Sequence, residues 1–173
     1  MTIFGALVVE PELERAFLDG SDVRAHQHSA GAASQDAEAN GERRGGNTTK
    51  IHLPVDGYGL PVEFIITGGE GNDCTAAPAL IAKNAIIVEK GYDSESLREQ
   101  IGALDSRVVI PIKCNSVKDN GDLDRGLYRY RHLVENAFAR LKQDRAIATW
   151  FDKLKRNYES MVAMACGFLW LPM

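Results

Sequence analysis

Asp122 to Arg145 (DLDRGLYRYRHLVENAFARLKQDR) is the stretch on which the reading of this chain turns. Leu123, Leu127, Tyr130, Val134, Phe138 and Leu141 recur at intervals of three and four. That spacing predicts a helix with one buried stripe. Beside it runs a second stripe of Tyr128, Arg131, Glu135 and Lys142, separated by three, four and seven residues. At about 100° per residue these four fall within an arc of roughly 60°. One carboxylate is thereby flanked by two cations and a phenol along one helical edge. Taken alone, Arg131 and Glu135 at i,i+4 make an ordinary surface ion pair.

Working outward, Ala16-Phe17-Leu18 followed by Asp19 and Gly20 predicts a strand whose last residue presents a carboxylate. Residues 31–47 shift to Ala, Gly, Ser, Asn and charge, the composition of a surface loop. Thr48 to Val55 and Leu60 to Thr67 are strand-like, and Asp56-Gly57-Tyr58-Gly59 between them predicts a hairpin. A helix is expected from Asp73 to Lys83, a short buried strand from Ala85 to Val88, and a helix opened by Asp93-Ser94 with Leu97, Ile101 and Leu104 on its inner face. Val108 to Ile112 is again a strand. The order is three strands, helix, strand, helix, strand and two long helical segments, a mixed α/β arrangement. Met161, Val162, Ala165, Phe168 and Leu169 are expected to be core on a terminal helix.

The 173 residues suit one domain with its own core. The uncharged run from Met161 to Met173 is shorter than the roughly 20 residues a membrane span requires. No secretory signal is visible, so a cytoplasmic protein away from membranes is expected. Cys74, Cys114 and Cys166 fit neither a disulfide framework nor a paired zinc motif. His26 and His28 share one side of an expected strand, but without a third soft ligand at suitable spacing they are not read as a zinc site. The net charge is −4, yet it is unevenly spread. Through Asn40 there are seven acids and two bases, whereas Asp122 to Arg156 holds nine Lys or Arg and five acids. A solvated helix face explains that asymmetry as well as a nucleic-acid surface does.

The spacing Tyr-x2-Arg-x3-Glu-x6-Lys at Tyr128, Arg131, Glu135 and Lys142 resembles the signature of DDE transposases of bacterial insertion sequences, in the large group that contains the fifth-numbered one. Val23 to Gly31 (VRAHQHSAG), Arg44 to His52 (RGGNTTKIH) and Lys90-Gly91-Tyr92-Asp93 are similar to segments of the same group, in the same order. The likeness runs from about Phe17 to the C-terminus. It implies an RNase-H-like mixed sheet flanked by helices over 17–173, with residues 1–16 as an N-terminal remnant.

What the resemblance implies for the site is an acidic triad of Asp19, Glu89 and Glu135. Asp22 is the neighbouring alternative to Asp19, and Glu89 stands where the group has Asp. The first and fourth strands would lie side by side, with the helix crossing their ends. The triad would hold Mg²⁺ or Mn²⁺, because a pair of such ions activates a water and stabilises the leaving oxygen in phosphodiester cleavage, and hard oxygen ligands suit them. Arg131 and Lys142 would contact phosphates, and Tyr128 the transposon end. The implied partners are transposon ends and target DNA, further catalytic subunits in a synaptic complex, and an upstream-frame partner supplying DNA recognition. The alternative is a catalytically inactive remnant that binds DNA or another transposase subunit.

Overall fold

The computed structural model describes residues 3–26, 41–43, 46–71, 73–81, 86–88, 92–103, 109–111, 123–152 and 154–171. In chain order these form α1 (Ile3–Leu7), β1 (Ala16–Ala25), β2 (Gly41–Arg43), β3 (Gly46–Val55), β4 (Ile65–Gly68), α2 (Asp73–Ile81), β5 (Ile86–Val88), α3 (Glu95–Ala103), α4 (Arg125–Tyr128), a 3₁₀ turn (Arg129–Arg131), α5 (His132–Leu141), α6 (Arg145–Ala148), β6 (Thr149–Trp150) and α7 (Lys155–Leu169).

β1 is the centre of one mixed sheet. It pairs antiparallel with β3, Phe17 opposite Val55 through Arg24 opposite Thr48. On its other edge it pairs in parallel with β5, Leu18 opposite Val88, and at its far end with β6, Ala25 opposite Trp150. β2 and β4 both pair with β3. The first strand and the strand after α2 are thus neighbours, as the RNase-H-like resemblance implied, and helices cover both faces of the sheet.

Alternation along β1 sorts its side chains between the two faces. Phe17 and Val23 join a cluster with Val134, Phe138, Leu141, Trp150 and Val162, under α5 and α7. Ala16 and Leu18 join a separate cluster with Leu80, Val88, Tyr92, Leu97 and Ile101, under α2 and α3. The first cluster is anchored by Trp150, whose ring stacks on that of Tyr158 with centroids 4.7 Å apart. Tyr158 donates to the Ile147 carbonyl at 2.7 Å, and burial, aided by Asp152, pushes its phenol above the ordinary tyrosine value, so it stays protonated as the donor. Trp150→Ala should cost about 3–5 kcal/mol of stability. Trp150→Phe should cost far less, because the Trp150 indole N–H is buried with no hydrogen-bond partner among the described residues. Urea titration of the two variants beside the parent chain checks the contrast.

The hairpin is present, but its second strand begins at Ile65 instead of Leu60. Pro61 has no N–H to give to a ladder, and it makes only an isolated bridge with Val55. The turn is organised by Asp56, fully buried, whose carboxylate accepts from the Tyr58 and Leu60 amides at 3.0 and 2.9 Å. Gly59 adopts φ +81°, a conformation that favours glycine.

Several expectations need correction. Asp19 does not close β1 but lies in its middle, because pairing with β3 carries the strand on to Ala25. Part of the expected 31–47 loop is strand, with Gly41–Arg43 antiparallel to β3, and 31–40 lie outside the described residues. Of the strand expected over 108–112, Val109 makes an isolated parallel bridge to Ile87, and residues 108 and 112 lie outside the described residues. The single helix expected over 122–145 is α4, the 3₁₀ turn and α5, each of α4 and α6 started by an aspartate: Asp124 accepts from the Leu127 amide and Asp144 from the Ala146 amide. A 3₁₀ turn winds at 120° per residue, so three residues add roughly 60° to an α-helical projection. Tyr130 is accordingly turned out of the predicted stripe and is 47% exposed. Phe168, expected in the core, is 68% exposed, while Met161, Ala165 and Leu169 are half-buried.

The residues ahead of β1 share the main core. Phe4 is buried in the cluster under α5 and α7, its ring 6.1 Å from that of Phe64. Trp170 donates from its indole N–H to the Pro61 carbonyl at 2.7 Å, fixing the end of α7 to the same connection. Cys166 is buried on α7, which pushes its thiol up to about 12, and Cys114 lies outside the described residues. Among the described residues no helix is long and apolar enough to cross a membrane.

Candidate acidic site between the first strand and the fifth helix

α5 lies on the sheet through Val134, Ala137, Phe138 and Leu141, all buried at i, i+3, i+4 and i+7 spacing. That contact leaves the next helical edge facing β1, where Asp19 and Ser21 project between Phe17 and Val23. Arg131, at the end of the 3₁₀ turn, reaches both partners: one guanidinium nitrogen is 3.5 Å from Asp19 Oδ2 and the other 2.5 Å from Glu135 Oε1. Asp19 and Glu135, distant in sequence, therefore converge on one cation. The remaining oxygen of Asp19, Oδ1, accepts from the Gly20 amide at 2.7 Å. The Asp19 side chain is largely shielded, at 16% exposure, whereas that of Glu135 is half open to solvent at 50%.

Further along the same edge, Lys142 donates to Ser21 Oγ at 2.7 Å and to the Asp22 carbonyl at 2.8 Å. Burial lowers its ammonium below the ordinary lysine value, and the Asp22 carboxylate opposes that shift. The Tyr128 ring lies 5.8 Å from the Arg131 guanidinium carbon, close enough for a cation–π contact. Arg131 and Lys142 thus reach β1 directly, while Tyr128 and Glu135 flank Arg131 on the same helical edge. Asp22, the alternative first acid, belongs to the opposite face by alternation. Its carboxylate lies 3.8 Å from Lys50.

Glu89 lies outside the described residues, as does His28. His26 follows β1 directly, with its ring 4.9 Å from that of Phe151. Among the described residues no three candidate ligands gather into a metal-binding group. The two described carboxylates nevertheless suit a hard cation: they are oxygen donors already drawn together by a positive group, and half of the Glu135 side chain is open to solvent.

The sequence reading missed what lies behind Asp19. On the α2/α3 face, His52 is fully buried, with Nδ1 2.8 Å from the Tyr92 hydroxyl and Nε2 2.9 Å from Thr67 Oγ1. His52 and Tyr92 sit inside segments already noted for their resemblance, but no role followed from that. A histidine alternating with Ile51 and Leu53 on a buried strand was the available signal.

The Transposase DDE domain family matches residues 10–166. The chain belongs to that family. It is 33% identical over 129 residues to a putative transposase for insertion sequence element IS6501 from Brucella ovis, an alignment covering 72% of this chain and 98% of that protein. It is 26% identical over 133 residues to a putative transposase for IS402 from Burkholderia cepacia, covering 68% of this chain but 60% of the relative. Among solved structures, a piggyBac transposase synaptic complex with hairpin DNA aligns over 91% of this chain and 47% of its own, with a TM-score of 0.49 and 8% identity. A Mos1 transposase paired-end complex aligns with a TM-score of 0.35 and 12% identity over 73% of this chain and 54% of its own.

Proposed function

We propose that this chain cleaves DNA strands at the ends of an insertion sequence and joins them to target DNA, using divalent metal held by Asp19, Glu89 and Glu135. The observation that carries the reading is the meeting of Asp19 and Glu135 at the Arg131 guanidinium, one acid from the central strand and the other from the helix crossing it. The parallel ladder supports Glu89 as the third member. Leu18 is opposite Val88, and the next residue in the sequence after each is an acid. Family membership supports transposition as the purpose.

When bound, Mg²⁺ or Mn²⁺ would supply the charge that activates a water and offsets the developing charge on the leaving oxygen. The protein's own part is electrostatic and positional. Asp19 is held by the Gly20 amide at one oxygen and by Arg131 at the other, which limits the reorganisation needed when a substrate arrives. Arg131 and Lys142 place positive charge along the edge of β1 where a phosphate backbone would pass. Tyr128 sits behind Arg131 with a face suited to stacking on an unpaired base. Glu89 in place of Asp is the specific feature favouring the second reading, an inactive chain that binds DNA or another transposase subunit. A synaptic complex would bring a second catalytic subunit, and an upstream-frame partner would add recognition of the terminal repeats.

The test is incubation of the purified chain with a duplex carrying the terminal inverted repeats that flank its gene. Nicking at the repeat boundary with Mg²⁺ or Mn²⁺, abolished by EDTA, is the expected result. Retarded migration of the duplex without nicking in either metal rejects the catalytic reading in favour of the binding one.

A further inference from the structure

We infer that Tyr92, held by His52 and Thr67, is a positioning residue for the Asp19 carboxylate, acting through Gly20 from the opposite face of the sheet. This rests on the reading of Asp19 as a metal-binding acid only for its catalytic consequence. The mechanical part stands on geometry alone.

Gly20 lies between the two sides. Its amide donates to Asp19 Oδ1 at 2.7 Å and so fixes the carboxylate on the α5 face. On the other face, a Cβ at this position would come within 2.8 Å of the Tyr92 hydroxyl and 3.2 Å of His52 Nδ1. The hydroxyl therefore occupies the space a side chain would take, directly against the strand backbone beside the acid. Tyr92 itself is fully buried. Its hydroxyl is bonded to His52 Nδ1, and the two rings meet edge to face with centroids 6.0 Å apart.

His52 has no freedom to turn away. A neutral imidazole offers one N–H and one lone pair, and its two nitrogens are engaged by Tyr92 and Thr67 at 2.8 and 2.9 Å. His52 is also opposite Gly20 in the β1–β3 ladder, and Thr67 is on β4, paired with Lys50 of β3. The far side of Tyr92 is restrained as well. Asp93 accepts from Arg98 Nε and Nη2 at 2.9 and 2.7 Å, and the same Nη2 donates to the Ile110 carbonyl at 2.9 Å. The phenol is thus braced from α3 and aimed at Gly20. Three strands and a helix determine where one peptide N–H points.

The experiment is amide hydrogen exchange of Gly20 by NMR in the metal-free chain, with Val162 of α7 as reference. Tyr92→Phe keeps the ring and removes only the oxygen. It should accelerate Gly20 exchange about tenfold relative to Val162, the scale expected when a packed group stops constraining a neighbour. Thr67→Val, which leaves Tyr92 in place, should do so more weakly and covers the case in which Tyr92→Phe does not fold. A Gly20→Ala chain should recover part of its lost order when Tyr92→Phe is added, because the atom the new methyl strikes has gone. In the same samples, Mn²⁺ half-saturation measured by water proton relaxation should rise about tenfold in Tyr92→Phe, since small misplacement of a functional group has effects of this order or more.

Unchanged Gly20 exchange in a folded Tyr92→Phe chain overturns the inference. So does a Gly20→Ala defect that Tyr92→Phe leaves untouched. If Gly20 exchange responds while the parent chain binds no Mn²⁺, the positioning stands and the metal-dependent function falls.

Discussion

Asp19→Asn should reduce metal-dependent strand cleavage by about a thousandfold or more, and Glu135→Gln should do the same. On the proposed function each removes one anionic ligand from a site where stabilisation of several kcal/mol is at stake, and each 1.36 kcal/mol is about tenfold in rate. Both substitutions preserve shape, so the loss should appear in the chemical step, with binding of end DNA nearly unchanged. Stability separates this from a folding defect. The Arg131–Glu135 pair is half exposed on the Glu135 side, and such pairs are worth about 0–1 kcal/mol. Glu135→Gln should therefore melt within a few degrees of the parent. Asp19 is more shielded, but its Oδ1 bond from Gly20 can be kept by an asparagine oxygen, and Arg131 retains Glu135. Its folding cost should stay well below the 3–5 kcal/mol of a fully buried pair stripped of one partner. Single-turnover cleavage measured beside urea titration checks both halves. Activity within tenfold of the parent in either variant would remove that acid from the site.

The parts of this fold that were legible in sequence are those with a local period. Val134, Phe138 and Leu141 repeat at helical spacing because one face of α5 lies on the sheet, and Arg131 and Glu135 meet because i,i+4 residues share an edge. The hairpin was legible because Asp56 accepts from the amides of its own turn and Gly59 takes a positive φ that other residues disfavour. What could not be read comes from contacts without a local signature. β6 is two residues long and is a strand only because β1 extends far enough to pair with it. The same extension moves Asp19 from the end of β1 to its middle. Tyr130 followed the α-helical period into the predicted core, but the 3₁₀ turn rotated it out. His52 and Tyr92 look polar in sequence, and they are buried because each satisfies the other across 40 positions. Periodicity finds faces, and it does not find the partner that makes a polar residue welcome inside one.

Strand alternation bears on the proposed choice of Asp19 over Asp22. An odd separation puts the two carboxylates on opposite faces of β1. The face carrying Asp19 also carries Ser21, and both are met by cations from the helical edge, Arg131 and Lys142. The face carrying Asp22 is met by Lys50 from the neighbouring strand. The meeting of Asp19 and Glu135 at Arg131 supports the proposed reading of Asp19 as the first acid.

Glu89→Asp should raise cleavage by about a hundredfold, because the extra methylene displaces the carboxylate by about 1 Å and misplacement on that scale can cost about 100-fold. The described residues on either side of Glu89 are anchored. Val88 is buried, pairs with Leu18, and donates its amide to the Val109 carbonyl at 3.1 Å. Tyr92, four residues on, is fully buried against His52. Shortening the side chain is the direct way to restore reach. Single-turnover nicking of end DNA by the parent and Glu89→Asp chains, at saturating Mn²⁺, measures the ratio. Equal rates would mean that the segment does adjust, or that residue 89 is not a ligand. Glu89→Gln separates those two, since it destroys activity only if the carboxylate binds metal.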